Sequence, residues 1–141
     1  MLTFIEKSIA EAPIRSTVTL PFEVRQKSRF KTLLDSGEQC LVQLPRGGVL
    51  RHGDVLLSDT GDAAQVVSAK EHVSMVRFEK TIDFAKVCYH LGNRHVQLEI
   101  GDHWLRYLCD HVLDQLIQSM GFRVKQDYSR FEPESGAYQH A

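Results

Sequence analysis

The chain has 141 residues, enough for one ordinary domain or two small ones, because each core needs roughly 50 residues to bury sufficient apolar surface. Hydrophobic residues make up 43% of it, charged residues 25%, and the formal net charge is -1. This balance excludes a generally basic nucleic-acid-binding protein, so any partner must be recognised locally.

The segment from residue 2 to about 70 consists of short alternating or β-branched runs separated by turn residues. The strand candidates are residues 16–24, 29–34, 39–45, 54–58 and 63–69. Turns such as Asp35-Ser36-Gly37-Glu38 and Asp59-Thr60-Gly61-Asp62 carry hairpin chemistry. The pattern predicts an all-β domain over residues 1–72, without a helix of two turns.

The rhythm changes after His72, where a strand candidate at residues 73–79 is followed by a helical stripe. The stripe recurs at i, i+3, i+4 and i+7 and consists of Phe84, Val87, Cys88 and Leu91. We expect Thr81 to cap this helix at its start and Gly92-Asn93 to end it in a left-handed turn.

Two further strands and a second helix follow. Residues 96–100 alternate, with Val96, Leu98 and Ile100 on one face, and a turn leads to a strand at residues 103–108. A helix then begins near Asp110 and carries an inner side made of Val112, Leu113, Leu116, Ile117 and Met120. Residues 122–126 form the last strand.

The resulting order, βαββαβ, predicts a ferredoxin-like unit over residues 73–127, in which two helices cover one face of an antiparallel sheet. The fold class is therefore α+β, with an all-β domain first. The polar remainder, residues 128–141, shows no periodicity and is expected to be an extended or mobile arm.

His95 stands at the start of the alternating run 96–100. If Val96 and Leu98 face the helices, the period of two residues sends His95 and Glu99 to the opposite face of the sheet. There an imidazole can meet solvent, a metal ion or a second copy of the chain. The alternative is an ordinary surface histidine, which is the commoner role for this position.

Cys109, Asp110 and His111 open the second helix. A thiol and an imidazole at this spacing suit nickel, copper or zinc, and a helix N-terminus favours the thiolate that binds metal. The structural alternative is that Asp110 caps the helix and Cys109 fills the corner between strand and helix. His140, in the arm, is a further candidate ligand because it can join or leave a coordination sphere without moving the fold.

Motifs of established catalytic sites are missing from the sequence, which contains neither H-E-x-x-H, G-x-S-x-G, a P-loop nor G-x-G-x-x-G. We therefore expect a protein that is not an enzyme. Cys40, Cys88 and Cys109 are odd in number and widely spaced, which predicts free thiols. The first dozen residues lack the features of a signal peptide and no segment has the roughly 18 to 20 apolar residues of a membrane helix, so we expect a cytoplasmic protein without membrane contact.

Three long segments carry a family resemblance: "CYHLGNRHVQLEI" (88–100), "LRYLCDHVLDQLIQSMG" (105–121) and "FEPESGAYQH" (131–140). They resemble the urease accessory proteins that act as nickel metallochaperones, and the likeness extends over nearly the whole chain. It implies an amino-terminal β domain for partner or peptide contact and a metal-binding domain that forms a homodimer. Urease maturation, in a complex that includes a GTPase accessory protein, is the implied setting.

The resemblance also implies that His95 of each subunit contributes to one interfacial site that carries Ni(II) as cargo for apo-urease. Some members have metal-binding histidines at the positions of Cys109 and His111, and the cysteine here favours Cu(II) or Zn(II) at a secondary site. One alternative is a peptide-binding or folding module with incidental metal affinity. A metal-dependent hydrolase would need Glu99 as its base, and a nucleic-acid module is disfavoured by Gln97 and Glu99 beside His95.

Overall fold

The computed structural model describes residues 1–8 and 12–135. The chain forms two compact units, Met1–Ala69 and Lys70–Ala141. The sequence places the boundary after residue 72, which lies inside the first strand of the second unit. Residues 70–72 are Lys-Glu-His, three polar residues in succession, which the apolar pattern does not assign to a strand.

The first unit is a six-stranded sheet with one short helical turn. Its elements are β1 (Leu2–Ser8), β2 (Ile14–Leu20), α1 (Phe22–Arg25), β3 (Arg29–Leu33), β4 (Gln39–Gln43), β5 (Val55–Ser58) and β6 (Ala63–Ser68). The strand order is β2-β6-β5-β1-β4-β3, with parallel pairing in β1/β4 and β2/β6. Apolar residues from all the strands form its core, among them Phe4, Val18, Val42, Leu56 and Val66. The predicted all-β domain is confirmed.

Within this unit the predicted strand at residues 16–24 ends early, because Pro21 lacks the N–H that a strand ladder needs and the turn α1 follows it. The turn carries Arg25 into the interior, where its side chain is fully buried. Its Nε donates to the carbonyl of Leu20 and its Nη1 to that of Leu50, both at 3.1 Å. Charged residues are usually exposed, so the sequence did not predict that the Arg25 side chain would be buried.

The second unit follows the predicted βαββαβ order, which confirms the α+β class. Its elements are β7 (Lys70–Arg77), α2 (Thr81–Asn93), β8 (Glu99–Ile100), β9 (Trp104–Leu108), α3 (His111–Ser119) and β10 (Lys125–Arg130). The sheet order is β10-β7-β9-β8, and every pairing is antiparallel. The core joins the inner face of the sheet to both helices through Val76, Val87, Leu91, Leu98, Leu105, Tyr107 and Ile117. No helix in the described part of the chain is long and apolar enough to cross a membrane.

Both helices differ from prediction at their borders. Thr81 is the first residue of α2 and not its cap, and its hydroxyl is 3.0 Å from Nε2 of His103. In α3, Val112 is 54% exposed although it was expected inside, whereas Asp114 is buried. These two residues lie on opposite edges of the same apolar stripe, so the helical period cannot choose between them, and contacts with the sheet decide.

Asp114 connects α3 to the sheet. Its carboxylate accepts hydrogen bonds from the Tyr107 hydroxyl at 2.7 Å and from Nε2 of Gln126 at 3.0 Å. Burial alone would raise the pKa of Asp114, but these hydrogen bonds, with help from Ser74 and His111, outweigh it and hold the pKa below its usual value. Burial and the same carboxylate raise the pKa of Tyr107, which therefore remains a hydrogen-bond donor.

The chain beyond β10 returns across the sheet. Phe131 is fully buried, and the backbone N–H of Glu134 donates to the carbonyl of Leu98 at 2.8 Å. Since β10 and β8 are opposite edges of the sheet and the helices cover the inner face, residues 131–134 must cross the outer face. This corrects the prediction of an extended or mobile arm over residues 128–141 for its first part, because residues 128–130 belong to β10 and residues 131–135 form a strap. Residues 136–141 lie outside the described part of the chain.

The Asp114 interaction predicts a specific pH dependence for Asp114→Asn. At pH 7 the variant should lose about 1 to 3 kcal/mol of unfolding free energy, because a buried charge-assisted hydrogen bond is weakened. The folded pKa of Asp114 lies below its unfolded value of about 3.9, so the stability it adds is present above that pH and is lost as pH falls through the folded pKa.

Urea unfolding followed by fluorescence tests this, since the single tryptophan, Trp104, lies in the second unit. The difference between wild type and Asp114→Asn should stay constant above about pH 5 and shrink as the pH falls from about 4 through the folded pKa of Asp114. The exposed Asp127→Asn is the matched control and should leave the profile unchanged. A difference independent of pH would contradict the role given to the Asp114 charge.

Candidate metal centre

His95 lies in the turn that ends α2. Its backbone has a φ of 57°, in the left-handed region, its N–H donates to Gly92 O at 3.0 Å, and the N–H of Val96 donates to Leu91 O at 3.2 Å. This pair of bonds is the Schellman motif, in which glycine usually occupies the left-handed position. A histidine there costs of order 1 to 2 kcal/mol relative to glycine, so the position is held by a residue that is not the best one for the fold.

His95 is exposed, as predicted. The prediction placed it on the outer face of a strand, and this reason for its exposure is wrong. Strand β8 consists of only Glu99–Ile100, so His95 stands on a helix-terminating turn and not on a strand. Ile100, expected in the core, is 41% exposed. The end of the helix sets the direction of the chain before the alternating residues begin. The left-handed residue that ends α2 is His95, whereas the sequence analysis predicted the left-handed turn at Gly92-Asn93.

A shallow groove of about 560 Å³ has His95 in its wall. Residues 94–97 form one side, and the end of β9 with the start of α3 forms the other through Leu108, Asp110 and Val112. Leu108 is 38% exposed and Val112 54% exposed, so the imidazole lies beside uncovered apolar side chains. We call this surface the His95 groove. Exposed apolar side chains in a cluster are typical of a surface that another chain covers.

Asp110 has the structural role that was weighed as the alternative. Its carboxylate accepts from the N–H groups of Val112 at 2.9 Å and Leu113 at 3.2 Å, which caps α3. Cys109 is half-buried at the corner between β9 and α3, and His111 is exposed at the first position of the helix. Neither residue lines the His95 groove.

The described residues contain no group of three or more His, Cys, Asp or Glu side chains placed to hold a metal ion. His95, Cys109 and His111 are therefore not joined in one coordination sphere by the fold of a single chain. His140, the fourth predicted ligand, lies outside residues 1–8 and 12–135. All three cysteines are free thiols, as predicted.

Glu99, the base that a hydrolase would need, is already engaged. Its carboxylate accepts from Nε and Nη2 of Arg106, each at 3.0 Å, and from the N–H of Glu132 at 2.9 Å. The side chain is only 15% exposed. A carboxylate with this set of donors is poorly placed to activate a water molecule, which removes the support for the hydrolase alternative.

Other histidines in the described residues lie outside the His95 groove and make side-chain contacts of their own. His103 bonds to Asp102 at 2.9 Å and to Thr81, and His72 stacks on Tyr128 with ring centres 4.8 Å apart. Nδ1 of His52 accepts the N–H of Ser68. His90 is exposed on α2, against Tyr89, and does not line the His95 groove.

Comparison with known proteins gives a consistent result for both units. Residues 4–69 match the family "UreE urease accessory protein, N-terminal domain" and residues 71–141 match its C-terminal domain. The urease accessory protein UreE of Alkalilimnicola ehrlichii is 49% identical over 138 residues, covering 98% of this chain and 85% of the relative. That of Proteus mirabilis is 44% identical over 134 residues, covering 95% of this chain and 83% of the relative. The chain therefore belongs to the UreE family of urease accessory proteins.

Proposed function

We propose that this protein is a nickel carrier in urease maturation, which binds Ni(II) between the two subunits of a homodimer and passes it to apo-urease. It acts by carriage and not by catalysis. The observation that carries the proposal is the exposed His95 imidazole, fixed in a left-handed turn inside a groove with apolar neighbours. A single such ligand is incomplete, so further ligands must come from a second copy or from the chain beyond residue 135.

The His95 groove supports a two-fold symmetric interface. In such an interface the same surface meets itself, so one His95 from each subunit can approach the same ion. Leu108 and Val112 supply the apolar area, and fully burying a side chain of this kind stabilises an interface by roughly 1.5 to 3 kcal/mol. Metal bound only by the dimer adds to its stability through linkage, which ties metal affinity to association.

The ligand chemistry favours loading and release. Neutral imidazole binds Ni(II) well, and two imidazoles leave most of the coordination positions to water or to mobile ligands. His140 is within reach: the chain from Glu134 to His140 spans at most about 20 Å, and Leu98, to which Glu134 is bonded, is at most about 10 Å from His95. A ligand that joins and leaves lets the ion be transferred without unfolding the site.

Cys109 and His111 form a proposed secondary site, next to the capping residue Asp110. A thiolate favours Cu(II) or Zn(II) there over the harder ions. The proposed partners are the urease maturation complex and its GTPase accessory protein, in the cytoplasm, in keeping with the relatives, which are named urease accessory proteins.

One feature of the first unit favours a second candidate function, peptide binding with incidental metal affinity. A groove of about 480 Å³ has Lys7, Lys27 and Arg46 at its border and Leu44 and Leu50 in its wall. Such a groove fits an extended segment of another protein. Peptide binding that is unaffected by metal and by substitution of His95 would favour this reading.

Replacing His95 by glycine separates metal binding from folding. His95→Gly should abolish the tight Ni(II) site, measured by equilibrium dialysis as roughly one ion per wild-type dimer. The free energy of unfolding should stay the same or rise by up to about 1 kcal/mol, because the relief of strain at this turn is partly offset by the greater freedom of glycine in the unfolded chain. His90→Ala, which removes an exposed histidine outside the groove, is the control and should keep the ion. Full Ni(II) stoichiometry in His95→Gly would refute the site.

A charge in the His95 groove should break the dimer. Val112→Asp places a carboxylate on the apolar surface, where burial without a partner costs several kcal/mol. Sedimentation equilibrium should therefore show monomers that have also lost tight Ni(II) binding. Ile82→Asp, at an apolar residue of α2 that is 58% exposed, should remain dimeric. A dimer in both variants would place the interface elsewhere.

The remaining candidate ligands can be ranked by single substitutions. His140→Ala should weaken Ni(II) binding by roughly tenfold or less without changing its stoichiometry, since an accessory ligand is lost while the pair of His95 rings remains. Cys109→Ser should leave the tight Ni(II) site unchanged and reduce the uptake of Cu(II) or Zn(II). Isothermal titration with each metal measures both effects. Loss of the tight Ni(II) site in Cys109→Ser would show that the two sites are one.

A further inference from the structure

A second groove in the Lys70–Ala141 unit has a cavity of about 660 Å³ and shares no lining residue with the His95 groove. It lies where the end of β7 and the start of α2 meet the segment from Gly121 to Lys125. Four cations line it: Arg77, Lys80, Arg123 and Lys125. We call it the cationic groove.

The cations of this groove form no ion pairs within the described residues, and they outnumber the two carboxylates that line it, Glu79 and Asp83. Arg77, Lys80, Arg123 and Lys125 are all exposed, and none of their side chains forms an ion pair or hydrogen bond there. Other basic residues of this chain are paired: Arg15 with Glu38 and Asp62, and Arg106 with Glu99. In a chain with a net charge of -1, such a cluster is a local asymmetry that favours an acidic partner.

Apolar side chains also line the groove: Met75, Phe78, Phe122 and Val124. Phe78 and Phe122 meet edge to face, with ring centres 5.1 Å apart, and Phe122 is only half-buried. An aromatic edge beside several cations can receive an apolar side chain whose neighbours are acidic. This combination of a buried anchor and a polar border is how protein segments are usually recognised.

We propose that the cationic groove binds an acidic segment of a partner protein, in which Asp and Glu flank an apolar or aromatic side chain. Two carboxylates, Glu79 and Asp83, also line the groove and distinguish this partner from a nucleic acid. They would repel a continuous phosphate backbone, whereas a protein segment offers backbone N–H groups from which they can accept hydrogen bonds. The proposal does not rest on the metal site.

The test uses a short fluorescein-labelled peptide of Asp and Glu residues around a central Phe, with fluorescence anisotropy as the readout. The full-length protein should bind it saturably, and the affinity should fall as salt is raised because exposed charges are screened. The double variant Arg123→Glu with Lys125→Glu should weaken binding roughly tenfold or more, since two attractions become repulsions.

The matched control reverses the charge of two basic residues that lie outside the groove, on the strands β7 and β10. Lys70 and Arg130 are directly opposite each other in β7 and β10, so Lys70→Glu with Arg130→Glu changes the net charge equally. This control should alter the affinity by less than about twofold. Circular dichroism and thermal unfolding establish that both double variants are folded.

Three results would overturn the proposal. One is the absence of saturable binding to the wild-type protein, and another is equal weakening in both double variants, which would indicate a non-specific charge effect. The third is failure to discriminate: an equal affinity for a peptide with Gln and Asn in place of its acids, or tighter binding of a labelled single-stranded oligonucleotide. Ni(II) stoichiometry should be the same in all variants, so this outcome is independent of the metal site.

Discussion

The arrangement of the second unit around its candidate metal centre depends on one backbone constraint, the left-handed turn at His95. A helix that ends in a Schellman motif must place one residue at positive φ, and the two hydrogen bonds to Gly92 and Leu91 fix where that residue lies. Glycine would serve the helix better. The two hydrogen bonds thus fix the backbone of His95 while its side chain stays exposed, which gives a ligand a defined attachment point without burying it.

A second set of interactions lies on the outer face of the sheet, which the helices do not cover. Glu99 holds Arg106 through two hydrogen bonds and also accepts the N–H of Glu132, while the guanidinium of Arg106 lies 4.7 Å from the Trp104 ring centre and donates to Ser129. The strap is therefore attached to the strand next to the His95 turn. The contacts that engage Glu99 thus also hold residues 132–134 against β8 and the residue before it, Leu98.

The helical and strand periods predicted most of the fold. The βαββαβ order, the all-β first unit and the stripe Phe84, Val87, Cys88 and Leu91 follow from local apolar spacing, and the structure confirms them. The predictions were wrong where the spacing of apolar residues fits two positions equally well or gives no signal. Val112 and Asp114 are equivalent by period, and the hydrogen bonds from Tyr107 of β9 and Gln126 of β10 select Asp114 for the interior.

In the candidate site, too, some features follow from the sequence and others only from the tertiary structure. The sequence by itself determined the family, the exposure of His95 and the capping option for Asp110, because these depend on residue type and on neighbours in the chain. Only the tertiary structure decided that Leu108 and Val112 lie beside His95 and that Cys109 and His111 do not share its groove. These facts depend on contacts between segments distant in sequence, and a local period carries no information about such contacts.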